Sequence, residues 1–206
     1  MVSAILSEVL VILGLVLIHA LLVMGQNGIT SARKSRLQQE ANAGKRWAKT
    51  TLELVNQSDA CVATVQILTT LVTVILGAYA AVTIGTRFAL LSAEFLSTYE
   101  QGVSIGIVVI MSVLLLQIFG ELVPKRIALK YPEFWARVVS KPLNVLVIVF
   151  RPIVKFLGLS ADATLRAIHV QAPTEAPVTE EEIKNMLEEG TEAGVFEEAE
   201  EELVKK

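Results

Sequence analysis

Apolar residues gather into three long runs separated by polar stretches, and each is about the 20 residues that a helix needs to cross a bilayer. Residues 4–24 are interrupted only by Ser7, Glu8 and His19, residues 60–84 contain only uncharged polar side chains, and residues 102–119 only Ser104, Ser112 and Gln117. The pattern predicts an all-α membrane protein with three spans, at about 4–24, 60–84 and 102–122. The first run has no basic n-region, is longer than a usual h-region and has no clean small-x-small cleavage site before Arg33, so it reads as a retained span, not a signal peptide.

Residues 131–170 need separate treatment, because their longest uncharged run, 142–150, is too short to cross. At about 100° per residue, Lys130, Glu133, Arg137, Lys141, Arg151 and Lys155 share an arc of about 80°. Val138, Leu146, Val149, Phe156 and Leu157 fall on other faces, Ile148 falls inside the charged arc, and Pro142 and Pro152 must bend or break any helix. Two readings follow: short amphipathic helices that form a juxtamembrane belt at the cytoplasmic headgroups, or a fourth re-entrant or spanning helix.

From Gln171 the character changes again. Pro173 and Pro177 mark a linker, Thr179 and Glu182 form a capping box, and Ile183, Met186 and Leu187 make a short apolar stripe. A turn at 190–194 leads into a second acidic helix. Residues 171–206 therefore read as a cytoplasmic acidic helical connector. Its glutamates are either a solvated face or a spring whose self-repulsion relaxes when divalent cations bind.

Composition agrees with a membrane protein: 53% of residues are hydrophobic, 19% are charged and the mean hydropathy is +0.57. Arg33, Lys34, Arg36, Lys45, Arg46 and Lys49 lie between the first two spans, against Arg87 alone between the second and third, which makes the first loop cytoplasmic. Three spans then put the N-terminus outside and the C-terminus in the cytoplasm, in agreement with Lys125, Arg126 and Lys130.

Several chemistries lack their residues. Cys61 is the only cysteine, so no intrachain disulfide or multi-thiolate site forms. His19 and His169 are far apart in sequence; His19, within a span, reads as a packed side chain or a proton relay. There is no glycine-rich phosphate loop, no Gly-x-Ser-x-Gly and no basic surface interleaved with aromatic residues, so neither an enzyme nor a nucleic-acid binder is indicated.

What the spans do carry is oxygen. Gly120-Glu121-Leu122-Val123-Pro124-Lys125 sets a carboxylate beside a proline that leaves a carbonyl one turn earlier without its donor. That is either a cation site at membrane depth or a helix that ends at the interface with Glu121 in water. Gly25-Gln26-Asn27-Gly28 interrupts the first apolar pattern with glycines that read as helix-breaking, and Gln66, Thr70 and Thr73 fall on one side of the second span, which also carries Thr64 and Thr69. Together these groups can form an all-oxygen pocket of the kind that hard cations such as Mg²⁺ prefer. Taken singly, each threonine reads as bonding its own helix.

Four blocks, Ser31-Ala32-Arg33-Lys34-Ser35-Arg36-Leu37, Ala63-Thr64-Val65-Gln66-Ile67, residues 120–125, and residues 180–183 through Glu192-Ala193-Gly194, resemble the CorC/CNNM (cyclin M) family in order and spacing. The resemblance covers essentially the whole chain. It implies a DUF21 transmembrane domain (residues 1–130), the belt (131–170) and the connector (171–206), with the chain ending before the family's paired CBS modules, which bind Mg-ATP. It further implies a homodimer in the plasma (inner) membrane that transports Mg²⁺, by export coupled to Na⁺ entry. The Gly-Glu pair matches at Gly120 and Glu121, but Gly25-Gln26 stand where many members carry Ser-Glu, and Leu68-Thr69-Thr70 where a glycine commonly follows Gln-Ile. The implied ligands are Glu121 as the single carboxylate, carbonyls at Gly120 and Gly25, and the neutral oxygens of Gln26, Asn27, Thr69 and Thr70. The contrasting reading is a membrane anchor or divalent-cation sensor that transports nothing.

Overall fold

A computed structural model describes residues 2–88 and 98–168, and helices account for nearly all of them. The chain divides into two compact units, Met1–Phe156 and Leu157–Lys206, and the site discussed below lies in the first. The connector and its capping box at Thr179 lie outside the described residues.

In chain order the helices are α1 (Val2–Ser31), α2 (Lys34–Asn42), α3 (Arg46–Asn56), α4 (Ser58–Ala80), α5 (Thr98–Leu116), α6 (Val123–Lys130) and α7 (Pro132–Ala167). Two π-helical segments, Ala81–Gly85 and Gln117–Leu122, continue α4 and join α5 to α6. Four stretches are long and apolar enough to cross a membrane: Leu6–Ser31, Ser58–Phe88, Gly102–Lys130 and Pro132–Ala167. The chain is a multi-pass membrane protein. Three of these stretches correspond to the predicted spans and run beyond their C-terminal ends, because hydropathy falls at the interface while the helical hydrogen bonds continue.

Two expectations need correction. The Gly25-Gln26-Asn27-Gly28 stretch does not break its helix: α1 is continuous to Ser31. The missing side chains instead admit α7. A Cβ on Gly25 would sit 2.5 Å from Val139 Cγ1, and one on Gly28 would sit 2.9 Å from Trp135 Cβ and 3.0 Å from the Ala136 nitrogen. Secondly, residues 132–167 form one helix through both prolines, not several short ones. The carbonyls that Pro142 and Pro152 leave without donors belong to Val138 and Ile148, residues on the exposed side of the helix and not in its buried stripe. At 1.5 Å per residue α7 is about 54 Å long, well beyond the roughly 30 Å hydrocarbon core.

The main core lies where α1, the α2–α3 pair, the start of α4 and α7 converge. Leu22, Ile29, Leu37, Leu54, Cys61, Val65, Val139 and Leu143 are buried together there. On α7 the buried positions Ala136, Val139, Ser140, Leu143 and Val147 recur every three or four residues, one stripe of a helix. The basic first loop is thus an ordered helical pair, turned at Gly44 with φ +82°. Arg36 on α2 pairs with Glu133 on α7 at 2.6 Å, and Arg87 reaches back to Glu8 on α1 at 2.6 Å.

Candidate cation site

Between α1, α4 and the second π-helical segment lies a cavity of about 440 Å³. Helix α1 lines it with His19, Val23, Gln26 and Asn27, one face at i, i+4, i+7 and i+8. From α4 come Gln66, Thr69, Thr70, Thr73 and Val74. Glu121 and Lys125 close the third side. Of the seven residues named from sequence, Glu121, Gln26, Asn27, Thr69 and Thr70 meet here, whereas Gly25 and Gly120 are not among the lining residues. Gly25 faces α7, and a Cβ on Gly120 would press on Leu116 Cδ1 at 2.9 Å while meeting His19 at an ordinary contact distance of 3.5 Å. The carbonyl role expected of Gly25 rested on a helix break that is not found.

Local chemistry explains how each group is held. The Thr70 hydroxyl donates to the Gln66 carbonyl at 2.7 Å, Thr69 to Val65 at 2.9 Å and Thr73 to Thr69 at 2.9 Å. A hydroxyl that donates to its own helix keeps acceptor lone pairs, so these bonds fix the oxygens and leave them able to face a cation. Asn27 is held likewise: its Nδ2 donates to the Val23 carbonyl at 2.8 Å, so Oδ1 is the atom left to accept. Thr64, 0% exposed, bonds Ala60 at 2.7 Å and stands away from the cavity.

Glu121 rides on the π-helical segment. The Val123 N–H donates to the Ile118 carbonyl five residues back, and Pro124, which has no N–H, follows at once. A wide turn directly before a proline redistributes the hydrogen bonds that the ring interrupts, and such turns recur at functional sites. Here it brings Gly120 against His19 and sets half-buried Glu121 at the cavity.

Two lining residues were not assigned a role from sequence. Lys125, read from sequence only as a cytoplasmic charge, lies one turn from Glu121 on the same wall. His19 is 4% exposed, and no other described group partners its ring nitrogens. Its only signal in sequence was a lone titratable side chain in a span.

Residues 10–201 match the family described as the cyclin M transmembrane N-terminal domain. The chain belongs to that family. It is 37% identical, over 99% of its length, to a UPF0053 protein of Synechocystis. It is 29% identical over 95% to a polyamine export protein of Haemophilus influenzae, and 33% identical over 93% to an uncharacterised protein of Mycobacterium tuberculosis. The chain spans about half the length of these relatives, 46% of the first two and 56% of the third. In this cyclin M domain, Glu121 of the Gly-Glu pair and the oxygen-rich face of α4 meet at one cavity.

Proposed function

We propose that the chain is the membrane part of a transporter that carries Mg²⁺, by export coupled to Na⁺ entry, with the ion held in the cavity between α1, α4 and the second π-helical segment. The observation that carries this reading is the convergence of Glu121 with the oxygens of Gln26, Asn27, Thr69 and Thr70. Glu121 supplies the charge and the neutral oxygens replace part of the hydration shell. One carboxylate against a divalent ion leaves the loaded site positive, and Lys125 adds to this, which favours release over retention. Alternating access then follows from rearrangement of the helices around the site. Two copies form the working unit in the plasma membrane, with the basic α2–α3 pair on the cytoplasmic side and α7 along the headgroups. The relatives' remaining length can hold the Mg-ATP-binding CBS modules that regulate transport in the family.

The test is Mg²⁺ efflux from proteoliposomes with and without an opposing Na⁺ gradient. Wild type should show Na⁺-driven efflux that Glu121→Ala abolishes. Unchanged flux in the variant would move the site elsewhere, and no wild-type flux under any gradient would favour the anchor or sensor reading.

A second reading has its own support. The cavity exceeds what one hydrated ion needs, since six waters at about 30 Å³ each fill about 180 Å³ of the roughly 440 Å³ available. One related protein is named for polyamine export. A flexible polyammonium chain would place one charge on Glu121 and donate its other N–H groups to the amide and hydroxyl oxygens. Uptake of labelled spermidine by inverted vesicles, competed or not by Mg²⁺, separates the two.

A further inference from the structure

A second cavity, of about 280 Å³, lies where the α2–α3 pair meets the start of α7, apart from the one that Glu121 lines. Five charged side chains line it: Arg36 and Glu40 on α2, Lys45 at the turn into α3, and Glu133 and Arg137 on α7. Both carboxylates are engaged, Glu133 with Arg36 at 2.6 Å and Glu40 with Lys45. Arg137 stands one helical turn after Glu133, a spacing at which the two can pair along α7, yet Glu133 reaches across to α2 instead. Among the described residues no carboxylate pairs with Arg137. Its guanidinium lies over the Trp47 ring, 5.9 Å from the centroid, which orients the planar group and leaves its N–H edge free to donate. Three cations against two carboxylates leave the cavity with one net positive charge. Arg36 and Lys45 also keep donors beyond those that their carboxylates use, since a guanidinium carries five N–H groups and an ammonium three.

We propose that this cavity binds an anionic phospholipid, with the headgroup phosphate on Arg137 and the acyl chains along α7. The guanidinium fork matches phosphate oxygens two at a time, and basic pockets between helices at a membrane surface suit such headgroups. The neighbouring surface favours a lipid over a soluble phosphate. Phe134 lines the cavity and is 59% exposed, and Val138 and Val145, also exposed, follow it within about 40° on the same side of α7. An apolar strip thus leads out of the cavity along a helix that is itself long and apolar enough to enter a bilayer. A phospholipid meets both parts, the charge at one end and the strip beyond it, whereas a soluble phosphate leaves the strip uncovered. The site does not depend on which ion the first cavity carries.

The test is native mass spectrometry of the delipidated chain in detergent, titrated with phosphatidylglycerol or with phosphatidylcholine of the same acyl chains. Both carry a phosphate, but the choline cation of the second is repelled by the net positive cavity. Phosphatidylglycerol should bind about tenfold more tightly, the effect of one charge-assisted contact. Arg137→Gln should bring the two lipids to within about twofold of each other. Lys155→Gln removes an exposed cation of α7 that does not line the cavity, and should leave the preference unchanged. Equal binding of the two lipids by wild type, a comparison that needs no substitution, would overturn the site. Equal losses in Arg137→Gln and Lys155→Gln would also overturn it, in favour of diffuse attraction to a basic surface. Glycerol phosphate, the headgroup without its chains, should bind far more weakly than the lipid, and equal affinity would make a soluble phosphate the occupant and overturn the lipid reading.

Discussion

The close approach of α7 to α1 offers a sharp test, because glycines on the same or neighbouring helices differ only in what surrounds them. Replacing a helical glycine by alanine stabilises by about 1 kcal/mol through backbone propensity alone. At Gly14 and Gly106 a new Cβ would meet nothing within 4 Å, so that gain should survive. At Gly28 the Cβ would lie 2.9 Å from Trp135 Cβ, 3.0 Å from the Ala136 nitrogen and 3.1 Å from the Pro132 carbonyl. Two of those atoms are backbone and cannot swing aside, so the upper part of the usual overpacking cost applies, about 2–3 kcal/mol. The sum is a net loss of about 1–2 kcal/mol for Gly28→Ala against a gain of up to about 1 kcal/mol for Gly14→Ala. Gly25→Ala should also lose stability, since the Val139 methyl it meets at 2.5 Å belongs to a stiff β-branched side chain whose Cβ stands at 3.1 Å. Unfolding by SDS in mixed micelles, followed by circular dichroism, reads these differences as shifts in the midpoint. If Gly28→Ala unfolds at or above the midpoint of Gly14→Ala, the packing of α7 on α1 is not as described and the continuity of α1 needs another cause.

Two further outcomes are expected. Thr70→Val and Thr64→Val remove equivalent bonds to the preceding turn, so each should lower stability by about 1 kcal/mol or less, but only Thr70→Val should weaken ion binding, measured by calorimetry. Cys61, 0% exposed in the main core, should react with a water-soluble maleimide about a hundredfold or more slowly until SDS unfolds the protein, and equally fast labelling of the native protein would mean that the core is open.

Some of this architecture was legible along the chain because its causes are local. Hydropathy depends on composition over one helix length, so the three apolar runs announced themselves, and a carboxylate beside a proline stands out wherever it occurs. The shared face of Gln66, Thr70 and Thr73 followed from helical periodicity alone. The missed features depend on partners distant in sequence. Gly25 and Gly28 read as breakers because a glycine's effect on its own helix is visible in sequence, whereas the approach of Val139 and Trp135 is not. Pro142 and Pro152 read as interruptions because sequence does not show that Val138 and Ile148, whose carbonyls they free, lie outside the buried stripe. The α2–α3 pair was taken for a basic loop because positive charge overshadowed the spacing of Leu37 with Ala41 and of Ala48, Thr51 and Leu54.

The same asymmetry explains why His19 was not placed at the cavity from sequence. Threonine, asparagine and glutamate declare an acceptor by their side chains, so a search for cation ligands finds them wherever they occur. Histidine does not, because a lone imidazole among leucines is as well explained by packing until its surroundings are known. What places it is a pairing that sequence keeps apart: Gly120, 101 residues later, lies within contact distance of His19, and His19 lines the same cavity as Glu121. Replacement of Gly120, whose new Cβ would meet the end of the Leu116 side chain at 2.9 Å and His19 only at an ordinary 3.5 Å, should therefore cost less than replacement of Gly28, where backbone atoms stand in the way.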